Sequence, residues 1–156
     1  MRLYLMRHAE AHKVEGDIQT DADRTLTDYG QTQAKAVAEE LARRQVSAPV
    51  LLSSPYLRTK QTAAILAEIL TQGAFLPDEN LTSTGHAPDL DAIVQRYSIP
   101  QHLILVGHQP DLGMLVEKLV GFEFGLNTAC LIAFESTPDL KWKHLWNLIP
   151  EDLLHK

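Results

Sequence analysis

Cys130 is the only cysteine among 156 residues, so no disulfide can close within the chain, as expected of a protein kept in a reducing, cytoplasmic compartment. Long hydrophobic runs are missing too. None approaches the roughly 18 apolar residues that a membrane span requires. The apolar stretch Leu3–Met6 stops at Arg7-His8 with no small-residue cleavage site after it, so it reads as a buried strand rather than a secretion signal. Positive charge is scarce. The 14 Lys and Arg face 20 Asp and Glu, a net charge of -6, which argues against a general nucleic-acid binder. A phosphate ligand is not excluded, because a few arginines focused in a cleft create a local positive field on an acidic protein. Repeats, low-complexity tracts and linkers are absent. With 45% hydrophobic and 22% charged residues, the chain reads as one soluble domain over residues 1–156.

What is present is strand and helix in alternation. Leu3–Met6 reads as a first strand, followed by a polar loop from Ala9 to Arg24. Thr27 is placed as an N-cap, with Asp28 suited to the helix dipole and Gly30 where a capping-box glutamate would stand. Ala34, Val37, Ala38, Leu41 and Ala42 then share one face of a helix running to about Gln45. Val50–Leu52 is a second strand. Ser54-Pro55 signals a helix start, and that helix is expected to bury Thr62, Ile65, Leu66, Ile69 and Leu70. A third strand is expected near Ala74–Leu76 and a short helix over Leu90–Tyr97. His102–Val106 is the clearest buried strand, and Pro110 opens a helix with Leu112, Leu115, Val116, Leu119 and Val120 on its apolar side. Cys130–Phe134 and Leu140–Leu148 read as final strands, the second with Trp142, Trp146 and Leu148 on one face. The alternation predicts an α/β fold, a three-layer α/β/α sandwich around a mostly parallel sheet.

Three places share one geometry. Arg7-His8, Arg58 and Gly107-His108 each follow an apolar strand. If the strands are parallel, all three lie at the carboxyl ends, where open α/β sheets bind ligands. Two arginines and two histidines suit phosphoryl transfer. Guanidinium forks match phosphate oxygens, a neutral imidazole can attack phosphorus, and a second imidazole can donate to the transferring group.

Four blocks carry a resemblance: Leu5-Met6-Arg7-His8; Leu26-Thr27-Asp28-Tyr29-Gly30 with Gln33-Ala34; Ser53-Ser54-Pro55-Tyr56-Leu57-Arg58 with Gln61-Thr62; and Val106-Gly107-His108-Gln109-Pro110. In this order and spacing the chain resembles the histidine phosphatase superfamily, which includes the cofactor-dependent phosphoglycerate mutases. It is most similar to the phosphohistidine phosphatase SixA subfamily, given its short length, Arg24 before Thr25-Leu26-Thr27, and the ending Trp146-Asn147-Leu148-Ile149-Pro150. The resemblance implies a phosphoglycerate mutase-like fold and a metal-independent phosphatase with no cofactor. It makes His8 the nucleophile, Arg7, Arg58 and His108 the groups that bind and activate the phosphoryl group, and Arg24 a further substrate contact. The implied substrate is a phosphohistidine protein, a histidine-containing phosphotransfer domain. A broad-specificity small-molecule phosphomonoesterase is the alternative, and a phosphate-binding module without turnover is a third reading.

Two features depart from that pattern. Ala9 stands where the family has glycine, which restricts the local backbone. No carboxylic general acid has a decisive context: Asp78, Glu79 and His86 follow the second arginine block, and Glu10, Asp21 and Asp23 lie in the first loop. A missing acid favours phosphohistidine, because an alkoxide leaving group depends on a proton donor more than an imidazole does. Other residues read more plainly. Ser54 is expected to be a helix cap, Cys130 a core residue, and Trp142 and Trp146 core residues of an outer strand. His8-Ala9-Glu10-Ala11-His12 lacks the spacing of a zinc motif.

Overall fold

The structure is a computed structural model and describes every residue except Ile99, Leu140 and Lys156. Six strands form one sheet: β1 (Arg2–Arg7), β2 (Val50–Ser53), β3 (Leu76–Pro77), β4 (His102–Gly107), β5 (Leu131–Ser136) and β6 (Trp142–Leu148). Their spatial order is β3-β2-β4-β1-β5-β6. The first four are parallel, while β5 and β6 run antiparallel at one edge. The helices are α1 (Asp28–Arg43), α2 (Leu57–Leu70), α3 (Leu90–Arg96), α4 (Asp111–Val120) and α5 (Pro150–Leu154).

The interior positions of the central strands, Leu3–Met6 of β1 and Leu103–Val106 of β4, are apolar because both faces are covered. Tyr4 and Met6 of β1 point into one layer with α1 and α2; Leu3 and Leu5 point into the other with α3 and α4. This is the three-layer sandwich expected. Thr27 caps α1 as anticipated, its Oγ1 accepting from the Gly30 amide at 3.0 Å.

Several elements differ from expectation for identifiable reasons. Helix α2 begins at Leu57, not at Ser54-Pro55, because Tyr56 is still extended and Ser54 is engaged elsewhere. Within α2, Ile69 is 40% exposed, and the small residues Ala63 and Ala67 fill the seam against the sheet instead. The third strand is Leu76–Pro77. On β6, Trp142 and Trp146 lie on opposite faces: Trp142 packs in the α3–α4 layer, Trp146 in the α1–α2 layer. The register explains this, since Ala133 pairs with Trp146 but Phe134 pairs with His144, leaving Leu145 as an extra residue in a bulge. Leu140, expected to open this strand, lies outside the described residues. The ending Pro150–Leu154 is a short helix that packs beside α1.

The glycine of the second motif has a packing role. Gly30 faces the main-chain carbonyl of Glu10, and a β-carbon there would overlap that oxygen. Helix α1 can therefore lie directly on the chain that leaves His8. Gly30→Ala is expected to cost about 3 kcal/mol, since backbone atoms must move to make room. Urea unfolding of the purified variant would measure it.

Candidate active site

The register of the parallel strands places the site. Arg7 pairs with Gly107, and Ser53 pairs with Val106. One residue further on, His8 and His108 therefore stand side by side at the carboxyl edge, with Ser54 level with Gly107 on the next strand. The ladder continues into them: the His8 amide donates to the Gly107 carbonyl and the Ser54 amide to the Val106 carbonyl, each at 3.0 Å. The chain leaves β1 toward α1 on one face and leaves β4 toward α4 on the other. The crevice thus lies at the switch point of the sheet.

His8 is 5% exposed. Its Nδ1 lies 2.7 Å from the Ala9 carbonyl oxygen, an acceptor only, so Nδ1 carries the proton and Nε2 the lone pair. Arg58 Nε donates to that Nε2 at 3.2 Å. Burial pushes the His8 pKa down to about 3; the bond to Ala9 opposes this, and the charges of Arg58 and Arg7 add to it. Burial and the Arg58 charge bring His108 down to about 4, with Asp111 opposing. Both rings are neutral near pH 7, with centroids 5.6 Å apart.

Arg58, in the first turn of α2, is buried at 4% exposure. Its Nη2 is 3.4 Å from His108 Nδ1 and donates to Asp21 Oδ2 at 3.1 Å, while Nη1 donates to the Asp21 carbonyl at 2.6 Å. Arg7 Nη1 donates to the Leu126 carbonyl at 3.2 Å, but its buried Nε–H has no acceptor among the described residues. Burial, with the charges of Arg58 and Arg24, lowers the Arg7 pKa, a sign of positive charge gathered in one place. Arg24 donates from Nε to the His12 carbonyl at 2.6 Å and from Nη1 to Asp21 Oδ1 at 3.1 Å. All five residues expected at the site, His8, Arg7, Arg58, His108 and Arg24, therefore converge.

The residues around them hold His8 in place. Ala9 is not in the left-handed region, so alanine adopts this turn without strain. Its amide donates to Thr62 Oγ1, the Glu10 amide to Gln33 Oε1 and the Leu26 amide to Gln61 Oε1. The polar residues of the second and third motifs thus serve the main chain on either side of the first loop.

Of the candidate acids, only Asp21 touches the expected site residues. Glu10 accepts from the Thr27 hydroxyl, Asp23 from the Thr20 hydroxyl and Glu79 from the Thr82 hydroxyl. Asp78 is buried against Arg96 and the Asn80 amide, and His86 is exposed. Asp21 is ionised: partial burial raises its pKa, but hydrogen bonds from Arg24 and Arg58 outweigh this and hold it below the ordinary value. Its carboxylate is an acceptor here, not a proton donor.

Residues 3–83 match the histidine phosphatase superfamily (branch 1). The chain belongs to that family. It is accordingly a phosphatase of the metal-independent, histidine-nucleophile kind. An uncharacterized protein of Picosynechococcus sp. is 36% identical over 114 residues, covering 58% of this chain and 68% of that one. The fold is shared with the protein histidine phosphatase SixA complexed with tungstate, at a TM-score of 0.86 and 24% identity over 98% of this chain and 99% of that one. A putative phosphohistidine phosphatase SixA from Agrobacterium tumefaciens gives a TM-score of 0.82 at 23% identity, covering 96% and 97% of the two chains. A mycobacterial glucosyl-3-phosphoglycerate phosphatase with inorganic phosphate gives 0.69 at 20% identity, covering 96% and 98%.

Ser54 is not the helix cap that its place before a proline predicts; the helix is capped at Tyr56. Ser54 is fully buried, its Oγ accepting from the Tyr56 amide at 3.1 Å and lying 2.7 Å from His108 Nε2. The hydroxyl fixes the ring that faces Arg58. The serine before a proline was the available signal, but its partner lies 54 residues away in sequence. Ser54→Ala is expected to lower kcat about five- to tenfold, the worth of one buried hydrogen bond. Steady-state rates, with the melting temperature as a check on folding, would measure it.

Proposed function

We propose that this phosphatase hydrolyses phosphohistidine on a protein, through a phosphoryl group carried transiently by His8. The observation that carries the reading is the state of His8. The Ala9 carbonyl holds the proton on Nδ1, so the lone pair on Nε2 faces the guanidinium of Arg58. A neutral, oriented imidazole beside clustered arginines is suited to attack phosphorus.

In the first step His8 Nε2 forms a bond to phosphorus as the bond to the leaving nitrogen breaks. The electron pair departs with that nitrogen, and solvent protonates the released imidazole. In the second step water attacks phosphorus, the His8–phosphorus bond breaks, and inorganic phosphate leaves. Arg58 and the Nε–H of Arg7, which has no acceptor among the described residues, supply donors for the phosphoryl oxygens, with Arg24 at the rim. His108, steadied by Ser54, donates to the transferring group.

The leaving group is where substrate classes separate. Among the described residues the one carboxylate hydrogen-bonded to the site arginines is that of Asp21, ionised and held by both, which suits an imidazole better than an alkoxide. The natural substrate on this reading is a histidine-containing phosphotransfer domain in the cytoplasm. A small-molecule phosphomonoesterase is the second reading, supported by the likeness of fold to the glucosyl-3-phosphoglycerate phosphatase. No helix among the described residues is long and apolar enough to cross a membrane.

Turnover of a phosphohistidine protein is expected to exceed that of p-nitrophenyl phosphate in kcat/KM without added metal, and His8→Ala is expected to abolish both. Faster ester turnover would establish the second reading instead. The pH profile gives an independent check. A proton placed on Nε2 removes the nucleophile, and the folded-state pKa of about 3 lies below the ordinary 6.5. The acidic limb of kcat/KM, where activity falls with pH, is therefore expected well below 6.5.

A further inference from the structure

Arg58 is engaged at each of its three nitrogens. Nε donates to His8 Nε2, Nη1 to the main-chain carbonyl of Asp21 and Nη2 to Asp21 Oδ2. Arg24 Nη1 takes the other carboxylate oxygen, Oδ1, at 3.1 Å. Asp21 therefore bridges two guanidinium groups with two negatively charged oxygens, beside the nitrogen proposed to attack phosphorus. That is the recognition a phosphoryl group requires in the same place. Burial is lopsided: the Arg58 side chain is 5% exposed and that of Asp21 57%. The carboxylate can turn out into water, whereas the guanidinium cannot follow it.

We propose that Asp21 is an internal anion that competes with the phosphoryl group for Arg58 and Arg24, and so sets how tightly the pocket holds phosphate. A ligand that offers only a phosphate must displace the carboxylate with that group alone. A protein substrate brings contacts outside the pocket and displaces it with their help, a consequence that rests on the phosphohistidine-protein reading. Asp21 thereby weakens the hold on free phosphate and small esters, which have no such contacts to offset the loss. The competition itself does not depend on which substrate is natural.

The neighbouring Asp23 provides the control. It lies in the same 3-10 turn, and its carboxylate accepts from Thr20 rather than from an arginine. Inorganic phosphate would be titrated calorimetrically into the wild type, Asp21→Asn, Asp21→Ala and Asp23→Asn. Both Asp21 variants are expected to bind phosphate about tenfold more tightly, and Asp23→Asn to bind like the wild type. Unchanged or weaker binding in the Asp21 variants would overturn the proposal, since Asp21 would then orient Arg58 rather than compete for it. An equal gain in Asp23→Asn would overturn it too, because the effect would come from net charge. In parallel, the kcat/KM of Asp21→Asn is expected to rise several-fold for p-nitrophenyl phosphate and for a phosphohistidine protein alike. A wild type inactive on that protein, with phosphate binding still tightened by Asp21→Asn, would refute the substrate reading and leave the competition standing.

Discussion

Parallel pairing of β1 with β4, and of β4 with β2, is the constraint on which the site depends. Those strands are joined by main-chain hydrogen bonds in a fixed register. A slip of one residue would turn every core side chain to the wrong layer and move His8 out of line with His108. The apolar residues on both faces resist that slip, so the packing of the core and the placement of the site have one cause. Polar side chains from α1 and α2 then hold the loop after β1 by its amides. The rings are aimed by the rigid sheet and steadied by the helices.

Electrostatics follows from this placement. Two histidines are buried at the edge of the sheet, where a proton on either would lack solvation and would face arginine charge. Both are neutral as a result. Positive charge is left to the guanidinium groups, which keep it through the whole working range of pH. The division suits the proposed chemistry, with lone pairs on the imidazoles and charge on the arginines. An acidic chain can in this way present a cationic pocket.

Much of this was legible in the sequence. The apolar runs of β1, β2 and β4 and the Thr27 cap are local signals, and local physics decided them. So too were Arg7-His8, Arg58 and His108, because each follows a recognisable strand. What was not legible depended on distant partners. Ser54 carries a local helix-start signal, yet its hydroxyl is claimed by His108. Trp142 and Trp146 fit one strand period, but the bulge at Leu145 shifts the phase between them. Asp21 sits in a loop without periodicity, and nothing in its neighbourhood announces that the turn folds onto Arg58. Gly30 looked like a missing capping residue; the close approach of the Glu10 carbonyl gives it another purpose.

The two margins of the sheet carry a consequence of their own. At one side β3 has only two residues, one of them Pro77, which has no amide hydrogen to offer. At the other, β6 is bent by its bulge and presents Lys143 to solvent. Neither margin offers the long, regular row of free amides and carbonyls that strand addition requires. On the proposed reading, a protein substrate would not dock by lengthening the sheet. Side chains on the loops around the crevice would then set its affinity, which could change by substitution in those loops while the strands stay as they are.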